Sequence, residues 1–107
     1  MNSAIEPFSL LSGIEKLGTT REGWTLDQTE GITSDRHFRT KVKFDRPFGF
    51  APVVHIGIVG FDISEQDAAR LEASVEKITT AGFELVLSTW LNTQLWRVNV
   101  SWLAIGR

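Results

Sequence analysis

Residues 81–106 read AGFELVLSTWLNTQLWRVNVSWLAIG, and the alternation in this stretch decides the fold. Phe83, Leu85 and Leu87 alternate with Glu84, Val86 and Ser88. Successive side chains of an extended backbone point to opposite faces, so a period of two marks a strand with one face on a core. The polar run Asn92-Thr93-Gln94 interrupts the pattern. Val98, Val100 and Trp102 then alternate with Arg97, Asn99 and Ser101 as a second strand. Trp102 shares the parity of Val98 and Val100 and is expected in the core. Trp90 has the opposite parity to Phe83, Leu85 and Leu87, which places it on the wet face just ahead of the turn. A flat, amphipathic indole in that position suits recognition.

Moving upstream, Leu71, Ala73 and Val75 alternate with Arg70, Glu72, Ser74 and Glu76. Glu72 and Glu76 are expected as solvated carboxylates rather than an acid–base pair, since no cleft is visible around them. The loop Asp62–Ala69 is acidic but lacks the glycine and ligand spacing of an EF-hand. Val53 to Phe61, VVHIGIVGF, is almost continuously apolar and predicts a central strand covered on both faces. Pro52, which cannot donate to a ladder, fits the strand start. His55 within it is expected to be buried and hydrogen-bonded, because only His37 is available to join it as a ligand. From Arg36 to Phe44, Phe38, Thr40, Val42 and Phe44 face one way. Arg39, Lys41 and Lys43 face the other, as a solvated face or a stripe for an anionic ligand. Residues 18–34 are mostly loop, with Trp24 as a core plug at the start of a short strand. In residues 1–18, Phe8, Leu10, Leu11, Ile14 and Leu17 fit either a short helix or an edge strand.

The result is five clear strands plus a short one near Trp24, separated by turns, with no convincing helix after residue 18. That is the pattern of an all-β antiparallel sandwich. No linker or repeat divides it. Residues 19–107 form one domain, and residues 1–18 pack on it or on a neighbouring subunit.

Composition narrows the function. The chain has 107 residues, 42% of them hydrophobic and 22% charged, with a net charge of −2. Its sequence pI of about 5.6 argues against phosphate neutralisation, and so against nucleic acid. There is no cysteine, which excludes disulfides and thiolate metal sites. No nucleophile–base pair, metal cluster or phosphate loop is visible, so neither enzyme activity nor a metal or cofactor is expected. The amino-terminal residues lack a basic segment ahead of an apolar run, so membrane insertion and a signal peptide are not expected. Synthesis in the cytoplasm, with any export by a non-classical route, follows. The sequon Asn99-Val100-Ser101 lies in mid-strand and is read as chance.

A set of short motifs in fixed order points further. Phe44-Asp45-Arg46-Pro47-Phe48, Pro52-Val53-Val54, Asp62, Arg70, Thr80-Ala81-Gly82-Phe83, Thr89-Trp90, Asn92-Thr93 and Val100-Ser101-Trp102-Leu103-Ala104-Ile105-Gly106 together resemble the H-type lectin domain, over residues 24–106. The resemblance implies a six-stranded antiparallel β-sandwich assembled as a trimer or a dimer of trimers. It implies a sugar site between subunits for galactose or N-acetylgalactosamine, of the kind used in cell adhesion. By position, Arg70 and Trp90 match the family's sugar-binding arginine and tryptophan. Trp96 stands where an aromatic residue comes from the adjacent subunit. A guanidinium presents fixed donors to hydroxyl oxygens, and an indole packs on the C–H face of a pyranose. Two positions depart from the pattern. Leu91 replaces a histidine, and Thr33 falls nearest to a sugar-binding aspartate, with Asp35 able to replace it through a shifted loop. Two functions follow: a multivalent glycan-binding module, or a structural trimer serving assembly or attachment that has lost the sugar.

Overall fold

The computed structural model of the protein describes residues 8–29, 35–64 and 68–107. Its strands are β1 (Ser9–Gly18), β2 (Arg36–Lys43), β3 (Val53–Ile63), β4 (Glu72–Glu76), β5 (Gly82–Thr89) and β6 (Leu95–Gly106). They form two antiparallel three-stranded sheets, ordered β1-β6-β3 and β2-β5-β4, with no helix among the described residues. The fold is the six-stranded all-β sandwich that the alternation predicts.

The inward parities meet between the sheets. Phe83, Leu85 and Leu87 of β5 face Val98, Val100, Trp102 and Ala104 of β6, all buried. The Trp102 ring centroid lies 5.5 Å from that of Phe83 and 5.8 Å from that of Phe44. Gly13 of β1 pairs with Trp102 and leaves the space its indole fills. A Cβ at Gly13 would stand 2.8 Å from three indole atoms, so the ring and any larger residue exclude each other.

Three expectations need correction. The sixth strand is not near Trp24 but at Ser9–Gly18, where the ambiguous amino-terminal pattern is an edge strand on β6. Trp24 is buried as expected, and its Nε1 donates to the Leu95 carbonyl at 2.9 Å. The backbone around it, however, is used up in local turns, Trp24 N to Arg21 O and Gln28 N to Thr25 O, which leaves no ladder to join. Next, β3 is an edge strand, because β6 takes the centre of that sheet. Its apolar run is therefore not covered on both faces. Val53 is 73% exposed, and His55 is exposed rather than buried. Finally, β5 is buried on both faces. Glu84 and Val86, expected to be wet, are 8% and 3% exposed. Central position explains this, since side chains from β2 and β4 lean over them. Arg39 Nη1 lies 2.8 Å from Glu84 Oε1 and 3.0 Å from Glu76 Oε1. Glu76, with Glu84 next, raises the Arg39 pKa, so Glu76 is a paired carboxylate.

Candidate functional site

The turn between β5 and β6, residues 90–94, is tied down from both sides. Leu91 has a left-handed backbone, φ 56°, which reverses the chain at the end of β5. Its carbonyl accepts a 2.7 Å hydrogen bond from Arg36 Nη2. Arg36 Nη1 donates to the carbonyls of Leu26 at 3.1 Å and Gln28 at 2.8 Å. The Arg36 side chain is buried. Desolvation pulls its pKa below the ordinary arginine range, and Asp27 offsets part of that. On the other side, Arg70 Nη1 donates to Asn92 Oδ1 at 3.0 Å and to Thr93 Oγ1 at 2.9 Å. Thr93 is fully buried, and its hydroxyl donates to the Ala68 carbonyl at 2.7 Å. The Thr89 hydroxyl donates to the Arg70 carbonyl. Leu95 N donates to the Leu26 carbonyl at 2.9 Å, which closes the turn onto the 24–28 loop.

The ladders place the candidate residues. Arg36 pairs with Thr89, and Glu72 pairs with Ser88. Continued past their ends, these registers set Asp35 and Arg70 on either side of Trp90. Trp90 and Arg70 are half-buried, whereas Asp35 and Leu91 are exposed. The next row of the same face holds His37, Ser88 and Glu72, with His37 Nδ1 2.7 Å from Ser88 Oγ. Arg70, Trp90, Leu91 and Asp35 are thus gathered at one end of the β2-β5-β4 sheet. Arg70 is less exposed than its parity suggests, because two side-chain acceptors hold it. Thr33 lies outside the described residues.

Trp96 is the second residue of β6 and belongs to the other sheet. It is 38% exposed and borders a groove of about 300 Å³ with Thr19, Asp62 and Arg97. That groove includes neither Arg70 nor Trp90. Among the described residues, no three histidine, aspartate or glutamate side chains converge to hold a metal.

The positioning residues Arg36, Thr89 and Thr93 escape the alternation reading. A signal for two of them is present in the sequence. Arg36 shares the inward parity of Phe38, and Thr89 that of Leu87. A polar side chain at a core position must find partners, and at a strand end those partners are turn carbonyls.

Comparisons agree with this architecture. A family model of the H-type lectin domain matches residues 39–105. A Fuscovulum blasticum protein described as ATP synthase subunits region ORF 7 is 38% identical over 71 residues, 66% of this chain and 62% of that protein. Wild-type discoidin II from Dictyostelium discoideum superposes with a TM-score of 0.79 at 25% identity, over 99% of this chain and 39% of its own. The native recombinant discoidin II superposes with a TM-score of 0.78, also at 25% identity, over 98% of this chain and 39% of its own. The chain therefore corresponds to only part of each of these proteins. The family match spans β3 to β6 with Arg70, Trp90, Leu91 and Trp96, and with the sandwich it shows that the chain belongs to the H-type lectin domain family.

Proposed function

We propose that the chain is a glycan-binding module for galactose-type sugars. Its site is Trp90 with Arg70 and Asp35, closed by Trp96 of a neighbouring copy in a trimer. The observation that carries this reading is the half-buried Trp90, flanked in register by Arg70 and Asp35. Among the described residues both side-chain hydrogen bonds of Arg70 use Nη1, which leaves Nη2 and Nε as donors for sugar hydroxyls. Asp35, next to Arg36 at the start of β2, supplies the carboxylate acceptor that Thr33 lacks. Leu91 offers apolar contact in place of an imidazole. The preference for galactose-type sugars is carried over from the family.

The assembly has its own support. On the outward face of the β1-β6-β3 sheet, Leu10, Ile105 and Val53 form one cross-strand row and are 61%, 39% and 73% exposed. Ile14 adds a further 59%-exposed side chain on that face. Exposed apolar rows of this kind mark association surfaces. Light scattering is expected to give three times the 12.0 kDa chain mass, and Val53→Glu is expected to release monomers. A wild-type monomer at micromolar concentration would sink the trimer.

Fluorescence titration with galactose, N-acetylgalactosamine and glucose tests the site. Arg70→Ala is expected to weaken binding by about 10- to 100-fold, the loss of hydrogen bonds from a charged donor. It should cost about 1 kcal/mol of stability, since it also releases Asn92 and Thr93. Trp90→Phe is expected to abolish most of the emission change. An equal change in wild type and Trp90→Phe removes Trp90 from the site. Silence across a broad sugar panel transfers the lead to the assembly role, which the apolar outer face independently favours.

A further inference from the structure

The cation stripe of β2 divides into two parts. Arg39 is committed to Glu76 and Glu84. Lys41 and Lys43, one and two steps further along the same face, make no ion pair among the described residues. They line a groove of about 520 Å³ at the far end of the sheet, together with Lys77, Thr79 and Phe83. Lys77, also unpaired among the described residues, follows β4 with a left-handed backbone, φ 52°, which turns the chain there.

One side of the groove is fixed by the backbone of the 79–82 turn. Gly82 pairs with Lys43, and a Cβ on it would collide with the Val42 carbonyl, so only glycine lets β5 start this close to β2. The 79–82 turn is closed by Thr79 N donating to the Gly82 carbonyl at 2.8 Å and by Ala81 N donating to Thr79 Oγ1 at 3.2 Å. Glu84 also lines the groove, and it shares Arg39 with Glu76, so the three lysines face one carboxylate charge in excess there. Three lysines without an ion pair among the described residues therefore line one groove, in a chain whose net charge is −2. Like charges gathered beside low-dielectric walls repel one another, and their summed field attracts anions.

We infer that this groove binds a compact oligoanion bearing sulfate or phosphate ester groups. A single monoanion would leave two ammonium groups opposed, so the matching ligand carries two or more anionic groups. Lysine serves as a strongly hydrated point charge with three donors, which suits ester oxygens without demanding one geometry. The site is separate from the Trp90 turn. Gly82 and Trp90 are eight residues apart, about 27 Å along an extended strand.

The test is calorimetric titration of the whole chain with a sulfated glucose disaccharide, its unsulfated parent and inositol hexakisphosphate. Wild type is expected to bind at least one charged probe and not the neutral one. Raising the salt from about 50 to about 200 mM is expected to weaken binding at least tenfold, as for contacts that release counterions. The triple variant Lys41→Gln, Lys43→Gln, Lys77→Gln is expected to lose at least tenfold, and Lys41→Gln alone about threefold. Arg70→Ala is expected to bind the charged probes as wild type does. Binding of the sulfated probe alone assigns a sulfated glycan, and binding of the inositol probe alone assigns a phosphate ester. The inference is overturned if neither charged probe binds, if the neutral probe binds equally, or if the triple variant keeps its affinity.

Discussion

Replacing Trp102 by alanine is expected to lower the unfolding free energy by about 3–5 kcal/mol. Trp102 is 9% exposed and packs on Phe44 and Phe83, so truncation removes both its buried area and its ring contacts. The resulting cavity cannot readily collapse. Its floor is the backbone of Gly13, held in the β1–β6 ladder, with no side chain to swing into the space. That places the cost toward the upper part of the range. Domains of this size have about 5–15 kcal/mol in total, so the variant should lie close to unfolding at ambient temperature. Urea denaturation measures the effect, with Trp102→Phe as the milder companion that keeps an aromatic ring. A loss below about 1 kcal/mol for the alanine variant would show that the indole is not a central support.

Arg36→Ala is expected to cost about 2–4 kcal/mol, through the carbonyls of Gln28 and Leu91 left without their Arg36 donor and that of Leu26 left with Leu95 N alone. The effects of three acceptors around one group are not additive, which is why the range stays below their sum. Arg36→Lys should not rescue the loss. An ammonium on a flexible stem cannot reproduce the planar fork that spans acceptors on two loops. The same substitution should lower sugar affinity although Arg36 is a positioning residue, because it releases the Leu91 carbonyl and with it the turn after Trp90. Hydrogen exchange at residues 91–95 reports the loosening directly. If Arg36→Lys matches wild type in both stability and exchange, the fork geometry is not what holds the turn.

Much of the fold is readable from parity. The inward positions of β5 and β6 follow from the alternation of Phe83, Leu85 and Leu87 and of Val98, Val100 and Trp102. Parity fails where it says nothing about neighbours. The run Val53–Phe61 looks like an interior strand because its residues are apolar, yet strand order depends on which segment pairs with β6. Glu84 looks wet because it is charged, yet a central strand is roofed by the long side chains beside it. Trp24 shows the limit from the other side. Its burial is evident from its type, but the burial is achieved by a loop. At the candidate site, Arg70 and Trp90 are visible through the family resemblance. The inward parity of Arg36 marks it as a polar side chain in need of partners, but its hold on the turn, like that of the buried Thr93, shows only once the carbonyl partners are located.

The position of β6 also governs the order in which the chain can fold. β6 is the centre of its sheet, and both β1 and β3 pair with it and not with each other. During synthesis, β1 and β3 therefore leave the ribosome with no sheet partner, and they wait until residues 95–106 have been made. β5 meets β2 and β4 earlier, so the β2-β5-β4 sheet is the half able to assemble first. Pairing across the whole span from β1 to β6 is a high-contact-order event, which slows folding and lengthens the time that apolar strands stay uncovered. The segment with most to lose in that interval is the open apolar run of β3, whose register shifts at Ile58/Gly60 and Asp62/Ile63 make it a poor template for pairing with another chain.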